Sequence, residues 1–284
     1  MSLIQLTITG LFVAAASSGI MALAWVAQQR SGNSGWGDVT WSLGVGTTAA
    51  VSALVPLQDG VSRWRQIAIA AIVACWCLRL GLHIAGRARV AADDPRYRDL
   101  VTQWGADAAR RMFWFLQAQA IVGALLSTSV AIAAHNPEPT LRAQDLVGLT
   151  ILAAAIFGEA IADRQLAVFR ADPGNSNAVC RAGLWSWSRH PNYFFEWLFW
   201  LAIPIVAIDF SSGDAGGWLT LSAPLCMYWV LVHVSGIPPL ELHMSRTRGD
   251  SFREYQRETA RFLPVPPSCR ARTRKWFKWV AGAC

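Results

Sequence analysis

Charge is scarce in this sequence. Only 15% of its 284 residues are Asp, Glu, Lys or Arg, against roughly a quarter in ordinary soluble domains, and residues 3–27 contain none. An ordinary soluble domain is excluded, because the 54% of hydrophobic residues are gathered in long blocks rather than in the short periodic stripes of water-facing helices. Paired cysteines are lacking too. The six at 75, 77, 180, 226, 269 and 284 include no CxxC spacing and three fall in apolar segments, which argues against a disulfide framework and a zinc site. No Lys or Arg precedes the first apolar block, and the block is too long for a signal-peptide core, so a membrane span is expected there instead of a cleaved leader. Repeats and low-complexity linkers are also missing, which leaves one membrane domain over residues 1–284.

What is present is an all-α, polytopic pattern. A hydrocarbon core of roughly 30 Å needs about 20 apolar residues at the helical rise. Seven transmembrane helices are predicted near 3–27, 39–57, 66–86, 112–134, 145–166, 193–209 and 217–234, followed by a basic tail over 235–284. The Lys and Arg residues choose the orientation. Stretches 28–38, 87–111, 163–192 and 235–284 carry 1, 6, 4 and 10 of them, while the N-terminus and the loops at 58–65, 135–144 and 210–216 carry 0, 2, 1 and 0. The N-terminus is therefore expected outside and the C-terminus in the cytoplasm. The net charge of +7 is accounted for by these loops and the tail, so nucleic-acid binding is not indicated. Many of the 15 Trp residues, among them Trp36, Trp41, Trp64, Trp197, Trp200 and Trp218, stand near span ends and read as interfacial anchors.

Ionisable residues inside spans need a partner, a wet cavity or a function. Trp76, Arg79, His83 and Arg87 follow spacings of 3, 4 and 4 and share one face of the third span. Glu159, Asp163 and Arg170 share a face of the fifth, although Asp163 could equally pair with Arg164 or Arg170. In the sixth, Pro191 suits a first helical turn and Asn192 and Glu196 stand one turn apart. Arg181, Arg189 and His190 bring positive charge to that helix start, where phosphate or carboxylate could dock. Asp38, at the entrance of the second span, reads by itself as an N-cap carboxylate. The run Asp93-Asp94-Pro95-Arg96-Tyr97-Arg98 reads as a solvated loop.

The run Gly183-Leu184-Trp185-Ser186-Trp187-Ser188-Arg189-His190-Pro191-Asn192-Tyr193, with Glu196, resembles the bacterial branch of the steroid 5α-reductase superfamily. Asp38 with Trp41, the segments Arg79-Leu80-Gly81 and Asp94-Pro95-Arg96-Tyr97, and the tail from Ser235-Gly236-Ile237-Pro238 through Glu241 and Tyr255 to Pro264 extend the likeness over nearly the whole chain. The resemblance implies a seven-helix protein of the bacterial inner membrane that binds NADPH from the cytoplasmic side and reduces an activated C=C bond in a lipophilic substrate. By similarity Asn192 and Tyr193 contact the nicotinamide half, Glu196 fixes the carboxamide, and Arg189 and His190 stand at the helix entrance. Asp163 and Arg170 serve the phosphate and ribose region, and Glu241 and Tyr255 the pocket end near the tail. The catalytic positions of the family fall on Asp38, one methylene shorter than the family's Glu, on Trp76, where the family has a Tyr, and on Arg79. An indole donates a hydrogen bond but supplies no proton in catalysis.

Two other classes fit parts of the pattern. The Arg189-His190-Pro191-x-Tyr193 core also occurs in membrane methyltransferases that use S-adenosylmethionine. Buried Arg79 and Glu196 would suit a transport path, although neither internal symmetry nor interrupted apolar segments accompany them.

Overall fold

The computed structural model describes residues 1–57, 61–90, 95–210 and 215–267. The chain forms nine α-helices among the described residues: α1 (Leu3–Ser31), α2 (Gly35–Leu54), α3 (Arg63–Val90), α4 (Pro95–Trp104), α5 (Ala108–Ala134), α6 (Ala143–Ala171), α7 (Pro191–Ala207), α8 (Ser222–Trp229) and α9 (Ile237–Glu258). No strand occurs among these residues; one isolated bridge pairs Ser188 with Ala260. Five helical runs are long and apolar enough to cross a membrane: Leu3–Ser31, Arg63–Arg89, Tyr97–Ala134, Ala143–Ala171 and Ala215–Glu258. The other two expected spans are helices that fall outside this set. The helix α7 is very apolar but has 17 residues, and α2 is diluted by Gly35, Gly37, Gly44, Gly46 and several Ser and Thr. Parts of the loops expected at 58–65 and 210–216, Asp93 and Asp94, and the tail beyond residue 267 lie outside the described residues.

The contacts divide the chain into two compact units, Met1–Ala153 with Phe199–Met227, and Ala154–Leu198 with the chain from Tyr228 onward.

In the first unit, α1 opens with a capping box, in which Ser2 and Gln5 exchange side-chain and backbone hydrogen bonds, and stops at Gly32, whose φ of 67° suits a residue without Cβ. Its buried residues Thr9, Val13, Ser17, Met21, Ala24 and Gln28 recur every three or four positions, while Ile4, Ile8, Leu11 and Phe12 are exposed. An apolar outer face is what a lipid solvent allows. The helices α2 and α3 approach closely through small residues: a Cβ on Gly46 would stand 2.0 Å from Cys77 Cβ, and one on Gly81 2.6 Å from a Leu43 methyl.

Polar groups gather at one end of this unit. The Arg65 guanidinium, fully buried, pairs with the equally buried Asp145 at 2.7 Å and donates to the carbonyls of Asn136, Glu138 and Thr140. The last turn of α7 leaves carbonyls without helical partners. Arg142 donates to Val206 O and Ile208 O, Gln144 to Ile205 O and Ile208 O, and Asn136 to Ala207 O. Arg142 also pairs with Asp145 at 2.7 Å, so its positive charge sits at the negative end of the α7 dipole.

Two expectations change here. The span expected at 217–234 is not one regular α-helix: it winds as a 3₁₀ segment, Ala215–Leu221, then α8, then a π-turn, Val230–Val234. Gly217 packs against the carbonyl of Ala207 where a Cβ would come within 2.6 Å, and at the other end the amides of Ser235 and Gly236 both turn back to Val230 O. Trp200, read as an interfacial anchor, is wholly buried in an aromatic core: Trp76 stacks on Phe199 at 5.4 Å and meets Trp200 edge-on at 5.1 Å.

Gly46→Ala is predicted to destabilise the protein by about 1–3 kcal/mol through overpacking, lowering the thermal midpoint in detergent. Adding Cys77→Gly is predicted to restore part of the loss; a double variant that is simply the sum of both losses would contradict the close α2–α3 contact.

Candidate functional site

The second unit holds most of the residues singled out from the sequence. Asp163 and Glu159 stand one turn apart on α6 and are both buried, as is Glu196 on α7. Asn192 donates from Nδ2 to Asp163 Oδ1 at 3.3 Å, which joins the acidic face of α6 to the first turn of α7. Arg170 is exposed in the last turn of α6.

The residues just before α7 turn to a different partner. Arg189 donates from Nε to Glu241 Oε1 at 2.8 Å, and His190 Nε2 lies 2.9 Å from the same oxygen. Gln256 donates to Glu241 Oε2 at 3.1 Å. The second arm of Arg189 reaches the carbonyls of Gln256 and Thr259 at 3.1 and 2.6 Å, and its backbone amide bonds Ala260 O at 2.8 Å. The His190 ring stacks on Tyr193, with centroids 5.7 Å apart, and Tyr193 packs against Val232, Ile237 and Phe262. His190 is 3% exposed, and its Nδ1 has no hydrogen-bond partner among the described residues.

These groups lie outside the spans expected at 193–209 and 217–234, His190 ahead of α7 and Glu241 past Gly236, where the run Ala215–Glu258 turns polar. Burial pushes the Glu241 carboxyl up, but the hydrogen bonds from His190 and Arg189 and the adjacent Arg189 charge outweigh it and hold the group at about 2, against an ordinary 4.5. Burial pushes the His190 imidazole down, with Arg189 and Arg261 adding to this and Glu241 opposing it. We take the permanent Arg189 charge as the partner that keeps Glu241 ionised.

Tyr255, 2% exposed, donates to Trp185 O at 2.5 Å, with Ser188 O at 3.3 Å. Trp185 in turn donates to Ala162 O at 2.9 Å, and Gln165 accepts from the Leu184 amide at 2.9 Å. Gly183, at φ 57°, abuts that Gln165 side chain. The hydrogen bonds of Glu241 and Tyr255 described here thus go to protein groups. Arg181, expected to add free positive charge at the α7 start, pairs with Glu254 and Glu258 at 2.9 and 3.1 Å. The anion dock expected there is therefore largely neutralised from within. Past α9 the described chain is no loose tail: Ser188 Oγ donates to Phe262 O at 2.8 Å and the Val265 amide bonds Trp187 O at 3.0 Å.

The first unit holds Asp38, Trp76 and Arg79. Asp38 is not an N-cap: α2 begins at Gly35 after Ser34, and Asp38 Oδ1 accepts from the Tyr97 hydroxyl. The described part of the run read as a solvated loop is helix α4, and Tyr97 is 6% exposed among Met21, Ala24, Met112, Leu116 and Ala120. Sequence spacing gave no sign of this pair. The recurrence of Tyr97, Leu100 and Trp104 at spacings of 3 and 4 along α4, all in or against that cluster, is the signal that could have indicated a buried helix face. Gln256, the third donor to Glu241, was missed because a lone Gln in a polar stretch carries no pattern.

Among the described residues no three His, Cys, Asp or Glu side chains converge as metal ligands. Helical runs of membrane-crossing length and a polar cluster built on their ends define a multi-pass α-helical membrane protein. The chain belongs to the family described as a protein of unknown function, DUF1295, which matches residues 24–259. No curated protein and no solved structure matches the chain.

Glu241→Gln is predicted to lower stability by about 3 kcal/mol at neutral pH, since it leaves the Arg189 guanidinium, 9% exposed, without its anion. A depressed carboxyl contributes stability that is complete above its unfolded value of 4.5 and fades as pH falls toward 2. Thermal melts of the wild type are expected to lose that part between about pH 4.5 and 2, and those of the variant to lack it.

Proposed function

We propose that the protein is a membrane-embedded, NADPH-dependent reductase of an activated C=C bond in a steroid-like or other lipophilic enone. The observation that carries this reading is the Asn192–Asp163 hydrogen bond, which brings two motif residues from distant parts of the sequence into one polar face with buried Glu159 and Glu196. The resemblance of the Arg189-His190-Pro191-Asn192-Tyr193 run to the bacterial steroid 5α-reductase branch supports the same assignment.

The residues present fit a dinucleotide. Asn192 offers both amide donor and acceptor, Asp163 accepts as a ribose partner would require, and exposed Arg170 carries charge suited to phosphate. His190 Nδ1 is a buried acceptor still unpartnered among the described residues. NADPH, when bound, supplies the hydride. Within the protein, Asn192, Asp163 and Glu196 would orient the nicotinamide end.

In this reading all seven expected segments cross the inner membrane of a bacterium, α2 and α7 included, with the N-terminus outside. The bias of Lys and Arg toward alternate loops supports that orientation.

Added NADPH is expected to raise the thermal midpoint of the purified protein, while S-adenosylmethionine does not. Asn192→Ala should weaken NADPH binding about tenfold, the worth of one or two hydrogen bonds, while the ligand-free protein stays folded with a midpoint lowered slightly by loss of the bond to Asp163. Stabilisation by S-adenosylmethionine alone would overturn the reductase in favour of a methyltransferase.

A further inference from the structure

His190 is buried, stacked and anchored, yet one of its two ring nitrogens is unused. Its Nε2 lies 2.9 Å from Glu241 Oε1. An ionised carboxylate only accepts, so Nε2 must carry the hydrogen. The carboxylate is itself held from three sides, by Arg189, His190 and Gln256, and the backbone amide of His190 is tied to Ser188 Oγ at 3.1 Å. The ring cannot turn without breaking these bonds and its stack on Tyr193. In the neutral ring the Nδ1 atom is then a lone-pair acceptor, in a residue 3% exposed, with no donor among the described residues. A buried acceptor left without a donor costs about 1–3 kcal/mol, and native structures leave few such atoms unless a ligand or water satisfies them.

We propose that the Arg189–Glu241–His190 cluster fixes His190 as its Nε2–H tautomer so that Nδ1 accepts a hydrogen bond from an N–H or O–H of the bound ligand. Glu241 is then a positioning residue rather than a ligand contact. This rests on the reductase reading, in which the donor is the nicotinamide carboxamide or a ribose hydroxyl of NADPH.

The two nitrogens can be separated by substitution. A Gln amide reaches the Nε2 position and an Asn amide the Nδ1 position. His190→Gln therefore keeps a donor to Glu241 and removes the acceptor, whereas His190→Asn keeps an acceptor near Nδ1 and loses the tie. NADPH affinity is expected to fall about tenfold in His190→Gln with the ligand-free midpoint retained. In His190→Asn part of the affinity is expected to remain, with a lowered midpoint. The 3-acetylpyridine analogue of NADPH, which lacks the carboxamide N–H, distinguishes the donors. Weaker binding than NADPH by wild type, levelled in His190→Gln, identifies the carboxamide; equal binding by wild type, falling in His190→Gln, identifies a hydroxyl. As a measurement independent of variant folding, the ¹⁵N resonance of the unprotonated Nδ1 in wild-type protein should move on NADPH addition. Unchanged NADPH affinity in folded His190→Gln together with an unmoved resonance would overturn the proposal. Absence of NADPH binding by the wild type would instead overturn the reading beneath it.

Discussion

A single carboxylate, Glu241, lies at the centre of the second unit. It is held as an anion in a largely buried place by a permanent cation, Arg189, and the rest of the unit follows from that pairing. Removing either partner would leave a desolvated charge, which is far costlier than losing an exposed ion pair. Because Arg189 also bonds the backbone of Gln256, Thr259 and Ala260, the same charge fixes the start of α7, the body of α9 and the strand-like return after it. Tyr255 and Ser188 close this arrangement through backbone carbonyls.

The consequence for chemistry is a division of labour within one short motif. Arg189, His190 and Tyr193 face α9 and the residues packed on it, whereas Asn192 faces α6 through Asp163. Arg189 and His190 precede α7, and within the helix Asn192 and Tyr193 stand about 100° apart, so neighbours in the run address different partners. The α9 side supplies rigidity and, at His190 Nδ1, a single acceptor, while the α6 side supplies the remaining polar groups that suit a nucleotide. In the first unit the fully buried Arg65–Asp145 pair satisfies carbonyls between α5 and α6, and Arg142 those at the end of α7, which neither lipid nor helix could satisfy.

Long apolar blocks made the helices legible, because a helix surrounded by lipid needs no periodic polar face and the blocks alone mark it. The helix starts were legible where chemistry is local: Pro191 does begin α7. Partners far apart in sequence were not. Nothing in the spacing links Asp38 to Tyr97, since the bond joins two helices across 59 positions. Likewise the positive charge at Arg181 and Arg189 looked available until folding brought Glu254, Glu258 and Glu241 against it. The interruption of the last apolar run by 3₁₀ and π turns was hidden as well, because composition records hydropathy and not the close approach of Gly217 to Ala207.

The proposed reductase requires that these polar groups hold a nicotinamide dinucleotide. The most direct measurement is native mass spectrometry of the full chain purified in mild detergent without added nucleotide, followed by identification of whatever small molecule is released. NADPH or its oxidised form is the expected release. Release of S-adenosylmethionine or its demethylated product would contradict it.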